Sequence, residues 1–160
     1  EANKTGKVRA IGVSNFYPDR FVDLAEFCEI KPAVNQMETH VFNQQRKLRE
    51  VMQEYGTELM AWGPFAEGRN DFFTNGTLAA IGVKYGKSVA QVALRFLIQR
   101  GIIVIPKSTH KERMIENFNV FDFSLTEREM TVIAALDNEK SLFFSHYDPE
   151  MVKWLINYVK

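Results

Sequence analysis

Short apolar runs alternate with amphipathic stretches along the chain. Four runs rich in strand-forming residues occupy positions 8–13, 32–37, 59–62 and 102–105. Between them, apolar residues recur at helical spacing, as in Phe21, Leu24, Ala25 and Cys28. Strands that alternate with helices are typically parallel neighbours. The pattern therefore predicts a parallel sheet that is buried beneath helices.

Turn and capping residues indicate where the helices begin and end. Gly86 and Ser88 form a helix stop followed by a new N-cap, so the third connection is expected to contain two helices. Capping boxes or an N-cap with proline predict three later helix starts, at Thr109 with Glu112, Thr126 with Glu129, and Asp148 before Pro149. The chain is thus expected to finish with helices rather than with a further strand.

The number of strand–helix units indicates the size of the fold. A (β/α)8 barrel needs eight units and typically about 250 residues. This chain has 160 residues and four units. Residues 1–7 resemble the last turn of a helix that stops at Gly6. No linker divides residues 1–160, so we expect one domain. Half a barrel is predicted, with a small open α/β sandwich as the alternative.

Composition excludes several classes of protein. Hydrophobic residues make up 46% of the chain, which is enough for a core, and 20 Lys+Arg balance 20 Asp+Glu. A net charge of zero gives no overall attraction to nucleic acid or to anionic membranes, and no apolar run is long enough to predict a membrane span. The single cysteine, Cys28, cannot form an internal disulfide, so a reducing cytoplasm is the expected location.

A basic cluster follows the fourth predicted strand. Lys107, His110, Lys111 and Arg113 surround a helix start, with the hydroxyl groups of Ser108 and Thr109 between them. Cations in the first turn of a helix oppose its macrodipole unless an anion lies among them. A helix N-terminus after a late barrel strand is also a common phosphate site. A phosphate pocket and a solvated charged turn are both open interpretations of this segment.

Polar and aromatic groups lie at the carboxyl ends of the first three predicted strands. Ser14 and Asn15 follow the first strand, Gln36 lies near the end of the second, and Trp62 with Gly63 ends the third. Barrel active sites lie at this end of the strands. Hydroxyl and amide groups can bind a carboxamide, and an indole can stack on a flat heterocycle. Loop, cap and core roles remain the alternatives for these residues.

Other catalytic patterns are missing from the sequence. The three histidines lack the spacing of metal ligands, and there is no CxxC or GxGxxG motif. Cys28 shares an apolar helix face, so we expect it to pack rather than react. No metal site is predicted.

Four segments together resemble one known family in order and spacing. They are Gly6-Lys-Val-Arg-Ala-Ile-Gly-Val-Ser-Asn-Phe16, Asn35-Gln36, Ala61-Trp-Gly-Pro64, and Ile105-Pro-Lys-Ser-Thr-His-Lys-Glu-Arg-Met-Ile-Glu-Asn117. This pattern resembles the aldo-keto reductases over essentially the whole chain. Residues 141–153 are similar to the tail of bacterial members.

The resemblance implies a (β/α)8 TIM barrel that reduces aldehydes or ketones with NADPH, with this chain as its C-terminal half, strands five to eight. It also implies a cofactor site. Ser14, Asn15 and Gln36 would hold the nicotinamide carboxamide, Trp62 would stack on the ring, and Gly63 and Phe65 would line the pyrophosphate path. Lys107, Ser108, Thr109 and Arg113 would bind the 2′-phosphate, with Glu116 and Asn117 at the adenine. The loop around Phe143 and Phe144 would cover a small carbonyl substrate.

The same resemblance leaves this chain without assigned catalytic residues. In the family an Asp, a Tyr, a Lys and a His come from strands two to four, which would precede residue 1. The chain alone is therefore expected to be inactive, with a missing N-terminal half-barrel or a second copy of the chain as its partner. Some relatives act mainly as cofactor-bound partners of channels, so a non-catalytic NADP(H)-binding or regulatory module is the alternative function.

Overall fold

A four-stranded parallel sheet forms the centre of the fold. The computed structural model describes residues 1–158, and the strands follow one another in chain order across the sheet. They are β1 (Gly12–Ser14), β2 (Val34–Glu38), β3 (Glu58–Trp62) and β4 (Ile103–Val104). The predicted parallel strand–helix alternation is confirmed.

The outer strands are shorter than the apolar runs that predicted them. β1 covers only part of residues 8–13, and β4 covers two of residues 102–105. Each has a neighbouring strand on one side only, so fewer backbone groups are fixed by a ladder of hydrogen bonds. Val8, Ile11 and Ile105 consequently lie outside the strands and remain exposed.

Seven helices and two short 3-10 turns connect and follow the strands of the described residues. The helices are α1 (Pro18–Phe27), α2 (Arg46–Glu54), α3 (Gly76–Tyr85), α4 (Val89–Gln99), α5 (Lys111–Phe118), α6 (Glu127–Ala134) and α7 (Pro149–Tyr158). The 3-10 turns, Ala66–Gly68 and Phe72–Thr74, lie between β3 and α3. The third connection therefore contains two helices, as predicted. No helix in residues 1–158 is long and apolar enough to cross a membrane.

Three of the four predicted helix N-caps are confirmed and one is wrong. Asp148 directly precedes α7, and its carboxylate accepts the N–H of Glu150 at 3.0 Å. Ser88 with Gln91 and Thr126 with Glu129 form complete capping boxes. Thr109 and Glu112 do not, because α5 begins one residue later and its N-cap is His110. The hydroxyl of Ser108 accepts the N–H of His110 at 3.1 Å. Ser108 thus holds the turn before the helix, and no side chain caps the N–H groups of α5.

The two faces of the sheet differ in burial. Side chains that face the helices, such as Met37, Leu59 and Ala61, are buried in one core with Phe21 and Phe96. The opposite face is exposed at β1 and half-exposed at Val34 and Gln36 of β2 and at Met60 and Trp62 of β3, whereas Glu38 at the end of β2 is buried. The expectation that the whole sheet is buried is therefore wrong for this second face, which we call the inner face. Among the described residues, few side chains cover it.

Candidate functional site

Polar groups from three strands meet at the carboxyl end of the sheet. The indole Nε1 of Trp62 donates to the Asn15 side-chain oxygen at 2.8 Å, and the Asn15 amide donates to Ser14 Oγ at 3.1 Å. Ser14 Oγ in turn donates to the backbone carbonyl of Gln36 at 3.1 Å. The amide of Gln36 lies on the same face, 3.3 Å from the sulfur of Met60. The four residues predicted to surround a nicotinamide therefore lie together.

Local backbone geometry explains the position of Asn15. Its φ is +59°, in the left-handed region that asparagine tolerates better than most residues. Its N–H donates to the carbonyl of Gln36 at 2.9 Å, which continues the pairing of β1 with β2. The fully buried Asn35 side chain donates to the carbonyl of Phe16 at 2.7 Å and so holds the loop after β1. The turn and the buried amide together aim Asn15 at Trp62.

The C-terminal segment, residues 141–147, covers part of this polar group. The ring of Phe143 meets the Trp62 indole edge-on at 5.1 Å between centroids, and the ring of Phe144 lies 6.4 Å away at 26°. Gly63 has a φ of +61°, and a Cβ there would lie 3.8 Å from the Phe143 ring. The positive φ therefore favours glycine in the turn after β3, whereas a Cβ would make only an ordinary van der Waals contact with the Phe143 ring.

A cleft of ≈ 500 Å³ lies between the loop after β3 and the start of α5. It is lined by Phe65, Phe73, Ser88, Val89, Ala90, Lys107, Ser108, Arg113, Glu116 and Asn117. The structure therefore brings together Phe65 and most of the residues predicted to hold the adenosine phosphate. Thr109 is exposed and does not line this cleft.

The cleft combines aromatic walls with two cationic side chains and the carboxylate of Glu116. Lys107 and Arg113 are exposed, and no ion pair in residues 1–158 involves either of them. Arg113 lies in the first turn of α5, where a cation opposes the helix macrodipole. An anionic group among these side chains would relieve that opposition. Phosphate fits such a site, and the half-buried Glu116 and Asn117 add hydrogen-bonding groups for a base.

One charged residue of the inner face was missed by the sequence analysis. Glu38 is only 5% exposed, and its carboxylate accepts from His40 Nε2 at 3.0 Å, Ser141 Oγ at 2.5 Å and the N–H of Leu142 at 2.9 Å. Burial raises the pKa of Glu38, but these hydrogen bonds outweigh it and leave the pKa below its ordinary value. The available signal was its spacing, because residues 36 and 38 of one strand share a face.

Arg69 also contacts the C-terminal segment. Its guanidinium donates to the carbonyl of Leu142 at 2.6 Å and lies 4.2 Å from the centroid of the Phe143 ring. At the other end of the segment, the N–H of His146 donates to the hydroxyl of Tyr17 at 3.3 Å. Contacts from β2, from the loop after β3 and from the start of α1 thus fix one short segment beside Trp62.

In residues 1–158 no cluster of three potential metal ligands occurs.

Comparison with known sequences identifies the class to which this architecture belongs. Residues 1–138 match the model of the Aldo/keto reductase family. The chain is 48% identical over 137 residues to the 9,11-endoperoxide prostaglandin H2 reductase of Trypanosoma cruzi, covering 85% of this chain and 48% of that protein. The chain therefore belongs to the aldo/keto reductase family.

Solved structures show the same relationship. An aldo-keto reductase from a Medee basin deep-sea metagenome library matches with a TM-score of 0.88 and 40% identity, over 92% of this chain and 54% of that one. A Bombyx mori aldo-keto reductase in complex with NADP matches with a TM-score of 0.82 and 36% identity, over 95% of this chain and 51% of that one. The chain spans about half the length of these relatives. Four parallel strands are consistent with half of the family's TIM barrel.

Proposed function

We propose that this chain is the cofactor-binding half of an NADPH-dependent oxidoreductase that reduces aldehydes or ketones to alcohols. The observation that carries the proposal is the cleft beside α5, where Lys107 and Arg113 lie without carboxylate partners. Membership of the aldo/keto reductase family supports the reaction class. The NADP in the related Bombyx mori structure supports the cofactor.

The adenosine end of the cofactor would occupy the cleft beside α5, which we call the adenosine cleft. The guanidinium of Arg113 and the ammonium of Lys107 would bind the 2′-phosphate, with the hydroxyl of Ser108 beside them. Thr109, which is exposed outside the cleft lining, would reach this phosphate only from the rim. Phe65 would lie along the pyrophosphate path. The base would lie near Glu116 and Asn117, whose side chains line the same cleft.

The nicotinamide end would lie on the polar groups at the carboxyl ends of β1 to β3. Asn15 and Gln36 carry side-chain amides that can donate to and accept from a carboxamide, and the hydroxyl of Ser14 lies between them. The hydrogen bond from Trp62 to Asn15 fixes the indole so that its ring can lie against the nicotinamide. Gly63 would lie along the pyrophosphate path, as the resemblance implies.

The bound cofactor supplies a hydride to the carbonyl carbon of the substrate. The residues of this chain would orient the nicotinamide, and Phe143 and Phe144 would exclude water from the reacting face. The proton that the carbonyl oxygen then needs would come from a residue outside this chain, by the family resemblance. We therefore assign no catalytic residue to residues 1–160.

The domain proposed for residues 1–160 is the C-terminal half of a single NADP(H)-binding barrel. The half-exposed inner face and the open edges of β1 and β4 support this arrangement, because either a preceding half-barrel or a second copy of the chain would cover them. A cytoplasmic location stays a prediction from cysteine usage.

Cofactor titration and a turnover assay test the proposal together. In the intact protein, NADPH is expected to quench tryptophan fluorescence, and Trp62→Phe should remove most of that quenching. Oxidation of NADPH should then follow addition of small aldehydes. Saturable binding without turnover would favour a non-catalytic binding module. Absence of saturable NADPH binding would refute the proposed function.

A further inference from the structure

Glu38 occupies a position on the inner face that the cofactor does not explain. In the register of the sheet it is paired with Trp62, so the two side chains lie side by side on one face. Trp62 belongs to the proposed nicotinamide site. None of the residues that line the adenosine cleft contacts Glu38 through a hydrogen bond or an ion pair. Its side chain instead contacts the C-terminal segment, residues 141–147, which also lies against Trp62.

All the donors that surround the Glu38 carboxylate are directed at it. The N–H of Phe42 donates to His40 Nδ1 at 3.2 Å, so the proton of His40 lies on Nε2 and is donated to Glu38. Ser141 Oγ and the N–H of Leu142 are the other two donors. A glutamine at this position would offer one acceptor oxygen and turn an NH2 group toward donors. Even this nearly isosteric change would break part of the cluster.

Ser141 transmits this contact to the aromatic residues. Its hydroxyl donates to Glu38 and accepts the N–H groups of Phe143 and Phe144, both at 3.0 Å. The rings of these two phenylalanines are those that lie against Trp62. One hydroxyl thus links a buried carboxylate of β2 to the backbone of both aromatic residues.

We propose that Glu38 is a positioning residue, which acts through Ser141 to hold Phe143 and Phe144 as the wall of the carbonyl-substrate pocket. The proposal rests on the proposed function, since the pocket exists only if a nicotinamide lies against Trp62. Glu38 itself touches neither substrate nor cofactor in this scheme. Its loss should therefore weaken binding of the carbonyl substrate and leave the adenosine cleft unchanged.

The test compares Glu38→Gln and Ser141→Ala with the intact parent protein. Each variant should raise KM for a small aldehyde by about tenfold, while kcat and the Kd for NADPH change by less than about twofold. Ser141→Thr keeps the hydroxyl and should restore a KM close to that of the parent. Glu139→Gln removes an exposed carboxylate near the same segment and serves as the charge-matched control.

The double variant and hydrogen exchange separate positioning from general destabilisation. Glu38→Gln combined with Ser141→Ala should be no worse than Glu38→Gln alone, because the Ser141 hydroxyl acts through Glu38 in this scheme, whereas Glu38 also holds the N–H of Leu142 directly. Amide exchange should accelerate at residues 142–144 and remain unchanged in β2 and β3. If Glu38→Gln misfolds, the Ser141 variants carry the test. Additive effects, or an unchanged KM in a protein that reduces aldehydes, overturn this proposal alone, whereas a parent protein that does not bind NADPH overturns both proposals.

Discussion

Replacing Arg113 by alanine should separate recognition of the 2′-phosphate from binding of the rest of the cofactor. Arg113 lies in the first turn of α5 and lines the adenosine cleft, and it has no ion-pair partner in the described residues. A guanidinium meets a phosphate with paired, charge-assisted hydrogen bonds that a ribose hydroxyl cannot match. The variant should therefore weaken NADPH binding and leave NADH binding nearly unchanged.

The exposure of Arg113 limits the size of the expected effect. A hydrogen bond to a charged group contributes about 1.5–3 kcal/mol, and solvent screening of an exposed side chain favours the lower end of that range. We therefore expect the Kd for NADPH to rise by about 10- to 30-fold, which corresponds to about 1.4–2 kcal/mol. The Kd for NADH should change by less than about twofold.

Tryptophan quenching provides the assay. The protein has two tryptophans, and Trp154 lies in α7 at 55% exposure, so a Trp154→Phe background isolates the signal of Trp62. Lys111→Ala is the matched control, because Lys111 also carries a positive charge in the first turn of α5 but does not line the cleft. All titrations should be made at one ionic strength.

The pattern across the two cofactors decides the outcome. Equal weakening of NADPH and NADH would mean that Arg113 supports the helix rather than the phosphate. An unchanged Kd for both cofactors would favour the alternative interpretation, in which the basic cluster is a solvated charged turn. A loss in Lys111→Ala as large as that in Arg113→Ala would show that general electrostatics, not a specific contact, attracts the cofactor.

Four further predictions follow from the fold. The isolated 160-residue chain should not oxidise NADPH with small aldehydes, because the resemblance implies that the proton donor to the carbonyl oxygen lies outside it; robust turnover by pure protein would refute this. The open edges of β1 and β4 should make the isolated chain associate, so light scattering that shows a dilution-stable monomer of 18.5 kDa would contradict an incomplete barrel. Gly82→Ala should lower the free energy of unfolding in urea by about 1–3 kcal/mol, because its Cβ would meet the carbonyl oxygen of Lys87, whereas Gly76→Ala meets nothing within 4 Å and should not. Burial raises the pKa of Glu129, but hydrogen bonds from Lys84, Thr126 and Tyr85 outweigh it and lower the pKa from 4.5 to about 2. The stability from this carboxylate is complete above pH 4.5 and is lost as the pH falls toward 2. Glu129→Gln should therefore flatten the plot of unfolding free energy against pH between these values.

Local signals in the sequence predicted most elements of the fold. Apolar periodicity placed the strands and helices, and the capping boxes at Ser88 and Thr126 depend only on residues within one helical turn. The error at Thr109 is a shift of one residue, since the N-cap of α5 is His110 and Thr109 lies just before it. The lengths of β1 and β4 were not predictable, because they depend on whether a partner strand lies beside each edge.

In the candidate site, too, local features could be predicted from the sequence and long-range contacts could not. Contiguous motifs contain Trp62, which contacts Asn15, and Arg113, which lines the cleft with Lys107 and Ser108. The contact between Glu38 and Ser141 joins residues 103 positions apart. Neither periodicity nor a short motif predicts a contact over such a distance in sequence. The only signal in the sequence is a carboxylate at a strand position that faces the inner side of the sheet.

The loop after β3 forms part of two sites. Through Phe65 and Phe73 it lines the adenosine cleft, and through Arg69 it holds the carbonyl of Leu142 and the ring of Phe143. A ligand that immobilises this loop from one side removes part of the entropy cost of ordering it from the other. Such coupling is reciprocal by thermodynamic necessity. If the bound nucleotide lowers the Kd of a molecule beside Trp62 by some factor, that molecule lowers the Kd of the nucleotide by the same factor.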